Sequence, residues 1–192
     1  MDGNYLTDPL VFLIQVVFGL YTLVVMLRFL LQLVRADFYN PLSQFVVKVT
    51  SPLLRPLRKV IPGLGGLDLS SLLLAWLVKS VELLLIYLVS GFGLLVAQAL
   101  VLAIPELLAL TINIFLFSIL ILVVLSWISP VGHNPAVSLL SDLTAPIMEP
   151  VRRRMPPMGG LDLSPMVVMV GLILLKMLLV PPLEALARQL AA

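Results

Sequence analysis

Three ionisable residues stand where ionisable residues are costly. Lys79 and Glu82 lie 9 and 12 residues after Ser70, and Lys176 lies 12 after Ser164, each inside a long apolar run. In a helix that is roughly 14–18 Å into a span at about 1.5 Å per residue. A lysine at the bilayer centre costs about 2.5–3.5 kcal/mol to insert, so such charges face a bundle interior or a wet cavity. The set could line an ion or proton path. The plainer reading is a salt bridge inside the bundle, from Glu82 to Lys176 or to Lys79 at i,i+3. Two lysines and one carboxylate suit an anion better than potassium, which wants carbonyl or carboxylate oxygens.

A second set is basic and lies outside the apolar runs. Lys48, Arg55, Arg58 and Lys59 fall in the segment 36–67, and Arg152, Arg153 and Arg154 in the segment 129–161. The opposite side has Arg188, so the count is seven basic residues against one. The positive-inside rule then places both loops in the cytoplasm, or in the stroma of a plastid, with both termini and the central linker on the other side. Basic residues near a membrane attract anionic lipid at about 1 kcal/mol each. They could also recruit a cytoplasmic or membrane protein partner, or do no more than fix topology.

The two loops are copies of one another. At an offset of 94, positions 40–70 and 134–164 share 13 identities in 31. Chance would give roughly two at ordinary residue frequencies. The copied residues include Asn40-Pro41 and Asn134-Pro135, Thr50-x-Pro52 and Thr144-x-Pro146, Pro56 and Pro150, and Arg58 and Arg152. The copy ends on Gly65, Gly66, Leu67, Asp68, Leu69 and Ser70, repeated as Gly159, Gly160, Leu161, Asp162, Leu163 and Ser164. The glycines permit a tight turn. Ser164 before Pro165 suits a helix N-cap and first helical residue, and Asp68 and Asp162 sit where a helix dipole favours a carboxylate. That turn-and-cap account competes with a paired cation or partner site.

Within the first loop, Leu42, Phe45, Val46, Val49, Leu53 and Leu57 share one helical face, with the basic residues opposite. Leu139, Leu140, Leu143, Ile147 and Val151 keep the stripe in the second copy. Pro52, Pro56, Pro146 and Pro150 should kink any single helix. The expected shape is a short helix, a kink and a further turn lying in the membrane interface. His133, the one histidine, aligns with Tyr39 and reads as a solvated loop residue.

These segments require membrane elements to carry them. The chain of 192 residues is 61% hydrophobic and 11% charged, with mean hydropathy +1.16. A soluble domain has about a quarter charged residues. Crossings are expected over Pro9–Val34, from Ser70 to near Leu88, over Leu107–Ile128, and over Pro165–Val180 with a tail to Leu190. Ser90-Gly91-Phe92-Gly93 reads as a bend, and Leu94–Ile104 as an interfacial or re-entrant linker helix. The divisions are then 1–90, 91–104 and 105–192. Each unit crosses an even number of times, so the repeats are parallel about an axis along the membrane normal, unlike inverted transporter repeats. The acidic start, Met1 to Asp8, is unlike a cleaved leader. Without cysteine there is no disulfide, thiolate metal site or cysteine nucleophile. No catalytic arrangement, metal-ligand cluster or nucleic-acid-binding pattern stands out, and no cofactor is expected. Gln15, Thr22, Asn113 and Ser118 are candidates for polar or small-residue helix contacts.

The doubled Asn-Pro, Thr-x-Pro, Pro, Arg, Pro-x-x-Gly-Gly-Leu-Asp-Leu-Ser pattern between apolar helices resembles the YggT/YlmG family of bacterial and plastid membrane proteins, in the two-repeat form of Gram-negative bacteria. The resemblance covers nearly the whole chain. Leu33 stands where the second repeat has Trp127, an aromatic common in the family. The resemblance implies a multi-pass protein of the bacterial inner membrane with an envelope or osmotic-stress role. Relatives are also associated with potassium handling, cell-division gene neighbourhoods and plastid cytochrome maturation.

The sequence thus predicts an all-α integral membrane protein with four transmembrane helices in two parallel helix–loop–helix repeats and amphipathic interfacial loop helices. The leading function is a non-enzymatic organiser acting through its basic loops on anionic lipid or protein partners, with a homo-oligomer plausible on size. The rivals are a small ion channel or transporter and a cytochrome-maturation accessory.

Overall fold

The computed structural model describes residues 6–61, 67–128, 134–155 and 162–190. Its six helices are α1 (Thr7–Leu33), α2 (Pro41–Val60), α3 (Leu69–Val89), α4 (Val96–Ile128), α5 (Pro135–Arg154) and α6 (Ser164–Leu190). Four of them, α1, α3, α4 and α6, are long and apolar enough to cross a membrane. In hydrocarbon a helix satisfies its own backbone, which is why these runs fold as helices whatever their side-chain propensities. Large apolar residues such as Leu13, Val17, Leu20, Leu174 and Leu178 stay on the outside, as a lipid-covered surface requires.

The most extensive helix contacts join α1 to α3 and α4 to α6. Each pair is one repeat, and α3 packs on α4 to join them. A loop helix packs against each pair, α2 in the first repeat and α5 in the second. The same three positions form both centres. Val25, Leu54 and Leu74 are buried in the first core, and their equivalents Ile119, Met148 and Val168 form the second. Each centre therefore takes one residue from each span and one from the loop helix. The loop helix is part of the core, not an appendage on it.

The structure differs from the sequence reading in four places. There is no separate linker helix over 91–104. Gly91 and Gly93, at φ 80 and 81, carry the expected bend, but Val96–Ile104 runs on into α4 as one 33-residue helix. Pro105 lies inside it without ending it, and Trp76 Nε1 donates to the Leu100 carbonyl at 2.8 Å in the turn before the proline. The carbonyl that Pro105 itself leaves without a helix donor is that of Val101, four residues back, so the helix is carried through the proline by α3 and α6 packed along it.

The loop helices also run through their prolines, 20 residues each. Hydroxyls near the prolines bond back one turn, although the carbonyls that the prolines themselves free are those of Lys48, Pro52, Asp142 and Pro146. Thr50 Oγ1 donates to Val46 O at 2.7 Å, Ser51 Oγ donates to Val47 O, and Thr144 Oγ1 donates to Leu140 O at 2.9 Å.

The buried face of α2 is Ser43, Val46, Thr50 and Leu54. The apolar stripe read from spacing is split by this, because Leu42, Phe45 and Leu53 are exposed. Finally, α6 begins at Ser164, so Ser164 is its first residue and not its cap.

Candidate functional site

The residues copied most faithfully build one device twice. Asn40 and Asn134 open the loop helices, each accepting from a backbone N–H two residues on, Leu42 and Ala136, at 2.9 Å. At the far end of α2, Arg58 pairs with Asp68. Asp68 is the N-cap of α3, where its carboxylate accepts from the Ser71 N–H at 3.2 Å and the Ser71 hydroxyl at 2.6 Å. In the second copy Arg152 Nε lies 3.0 Å from Asp162 Oδ2. Asp162 accepts from the Ser164 N–H at 2.9 Å and from its hydroxyl. The loop arginine and the turn aspartate, which serve separate purposes in the sequence reading, are one ion pair. It ties the end of the loop helix to the start of the next span.

The two pairs differ in environment. The Asp68 side chain is 4% exposed and that of Asp162 42%. Burial by itself would raise the Asp68 carboxyl, but the bonds from Ser71 and Arg58 outweigh it and hold the group below its ordinary value. At Asp162 a weaker burial effect is likewise outweighed by the bonds from Ser164 and Arg152. Ser70 and Ser164 are both fully buried, and Ser70 Oγ donates to the Ile61 carbonyl at 2.8 Å. Gly65, Gly66, Gly159, Gly160 and His133 lie outside the described residues.

In the first repeat alone, a span residue also grips the loop helix. Arg28 of α1 is buried. Its Nη1 donates to Thr50 Oγ1 at 2.6 Å, to Val47 O at 3.1 Å and to Ser51 Oγ at 3.3 Å. Leu122 takes its place in the second repeat. In the sequence Arg28 is marked only as a charge inside an apolar run that the repeat does not copy.

The remaining basic residues of α2, Lys48, Arg55 and Lys59, point outward. Lys48 and Arg55 line a groove of about 500 Å³ with Phe38, Gln44 and Pro52. In α5, Arg153 pairs with Glu149 at 3.1 Å on an exposed turn, and Arg154 is exposed.

The charges in the spans do not meet as a single set. Lys79 lies 2.9 Å from Glu82 and 3.7 Å from Glu106 of α4. Lys176 instead donates to Asn113 Oδ1 at 2.8 Å. The Glu82–Lys176 pair is not formed. Glu106 and Asn113 are seven residues apart, roughly 10 Å along α4, so the two lysines sit at different heights. Glu82 Oε2 is buried with no hydrogen-bond partner. Glu106 was legible only as the edge of an apolar run, and nothing in the sequence ties Asn113 to Lys176. Among the described residues no group of three or more His, Asp or Glu could hold a metal ion.

The fold and the doubled clamp define a small multi-pass membrane protein built from two copies of a helix–loop–helix unit. The chain belongs to the CCB3/YggT family, which matches residues 7–89 and again 101–183. It is similar to an uncharacterised protein of Pseudomonas aeruginosa, 44% identical over 94% of this chain and 92% of that one. It is also similar to the YggT protein of Escherichia coli K12, itself uncharacterised, at 39% over 88% of each chain. A Vibrio alginolyticus protein from the proC 3′ region is 40% identical over 84% of this chain and 88% of that one. No solved structure matches.

Proposed function

We propose that this protein is a non-enzymatic organiser of the bacterial inner membrane, with α2 and α5 on the cytoplasmic side and the termini in the periplasm. It acts by holding anionic lipid against its loop helices. The observation that carries this reading is the groove on α2. Arg28, Arg58 and Leu54 fix the helix to the bundle, while Lys48, Arg55 and Lys59 are left facing outward. A rigid helix with an outward basic face at a membrane surface is suited to lipid phosphates, and a clamp this elaborate exceeds what topology needs. The density of loop arginines gives the same bias to the second repeat. An envelope or osmotic-stress role accords with the family resemblance.

The test compares the full chain with its Lys48→Gln, Arg55→Gln, Lys59→Gln variant in vesicles of phosphatidylcholine with and without phosphatidylglycerol. At about 1 kcal/mol per basic residue, the triple variant should lose roughly a hundredfold of its preference for phosphatidylglycerol. Retention of that preference would sink the proposal.

A second reading rests on the unpartnered Glu82 oxygen beside Lys79 and Glu106. It makes the cluster part of an ion or proton path. Unchanged flux in liposomes after Lys79→Ala, Glu82→Ala and Glu106→Ala would remove it.

A further inference from the structure

The two repeats bury one stripe of their loop helices unequally. On α5, Leu139 is 9% exposed and Leu143 1%. The equivalent stripe on α2 is open: Phe45 is 58% exposed, with Leu42 and Leu53 exposed on either side and Val49 half-buried between them. The positions 42, 45, 49 and 53 follow helical spacing, so they form one continuous apolar face.

What covers the stripe on α5 is the first repeat of the same chain. Helix α5 packs on α1 and α2. Leu139 and Leu143 join the core that holds Leu30, Leu31, Ala36 and Leu54. Asn40 Nδ2 donates across the junction to the Pro135 carbonyl at 2.7 Å.

The receiving surface is also duplicated, and part of its copy is open, although Met148, the equivalent of Leu54, is buried in the second core. Leu30 is 2% exposed, whereas its equivalent Val124 is 40% exposed. Asn40 is buried, whereas Asn134 is exposed and donates to no described residue. A two-fold axis between the repeats would bury both stripes and both receiving surfaces alike. Here one stripe meets one surface and the other pair is left over, which is the signature of a head-to-tail contact.

We infer that a second copy of this chain completes the pattern: the Phe45 stripe of one copy seats on the Val124 and Asn134 end of the next, repeating between chains the junction already made within the chain. Pro41 O then takes the place of Pro135 O as acceptor, and Asn134 that of Asn40 as donor. The occupant is fixed by continuity, because the same family of surfaces is already mated once. The basic face of α2 lies on another side of the helix, so this inference stands or falls apart from lipid binding.

The chain has no cysteine, so thiols can be placed at will in the full-length protein in lipid. Asn40→Cys with Pro135→Cys on one chain is the control for reach and should link within the chain through a short bis-maleimide. Pro41→Cys on one copy and Asn134→Cys on another, reconstituted together, should link between chains, and neither variant alone should link to itself. Adding Phe45→Glu should cut the interchain product by about tenfold or more, the equivalent of about 1.4 kcal/mol, while leaving the intrachain control intact. Self-linking of either single variant would show a two-fold dimer and overturn the inference. So would absence of interchain product while the control links, which would leave lipid or another protein on the stripe.

Discussion

Arg28 Nη1 lies 2.6 Å from the Thr50 hydroxyl, so a charge near the end of a membrane helix holds the loop helix that follows it. The same contact gives a first prediction. Arg28→Leu installs the residue the second repeat uses at this position. It removes charge-assisted hydrogen bonds worth about 1.5–3 kcal/mol each at most, but Thr50 and Ser51 keep their own acceptors at Val46 and Val47. The expected net loss is about 1.5–3 kcal/mol, and it should be local. Hydrogen exchange should speed up across α2 and leave α5 unchanged. Equal loosening of both loop helices would mean that Arg28 supports the whole bundle.

The two copied ion pairs should differ in worth. Asp68 is buried and Asp162 is not. Breaking a pair that leaves a buried charge alone costs several kcal/mol, while an exposed pair contributes about 0–1 kcal/mol. Arg58 is itself partly exposed, so Arg58→Gln is expected to cost about 1–3 kcal/mol, and Arg152→Gln less than about 1 kcal/mol. Double-mutant cycles with Asp68→Asn and Asp162→Asn, read from unfolding in mixed micelles, measure each coupling. Equal coupling energies would contradict the burial difference.

What the sequence disclosed follows from what is local or repeated. The spans are read from apolar run length, and the copied motif from its offset, because both are properties of the chain taken alone. Arg58 and Asp68 were each conspicuous, yet their pairing depends on how α2 turns back to α3, and no spacing rule states that. The prolines misled for a related reason. A proline breaks a helix in isolation, whereas α2 and α4 run through Pro52 and Pro105 with neighbouring helices packed along them. The alignment set Glu82 opposite Lys176, but α3 and α6 do not pack on each other and each meets α4 instead. On α4, Lys79 meets Glu106 and Lys176 meets Asn113.

Acid should loosen the α2–α3 junction in a defined direction. The Asp68 carboxyl titrates below its ordinary value in the folded protein. A depressed carboxyl contributes stability that is fully present above its unfolded value, about pH 4, and that is lost as pH falls through the folded value. Asp162 acts with the same sign. Hydrogen-exchange protection at the ends of α2, taken relative to the intrinsic rate at each pH, should therefore be flat from neutral pH down to about pH 4 and fall below it. Asp68→Asn should show the loosened state at neutral pH and a smaller further change in acid. A loosening that begins near pH 6 would assign the switch to some other group.

Lys176 offers the sharpest test of how the spans are held. Its ammonium donates to Asn113 Oδ1 at 2.8 Å, and no carboxylate among the described residues lies within ion-pair distance of it. Asn113→Leu should leave the lysine without its acceptor, at a cost of about 1–3 kcal/mol for the stranded group. Removing both partners with Lys176→Met should recover most of that loss, since two apolar residues of similar shape replace a satisfied polar pair at little net cost. The comparison is made from unfolding midpoints of the single and double variants in one micelle composition. If Asn113→Leu alone is silent, the lysine finds water or lipid phosphate instead, and the contact between α4 and α6 does not depend on it. If the double variant remains as damaged as the single one, Asn113 contributes through packing rather than through the hydrogen bond.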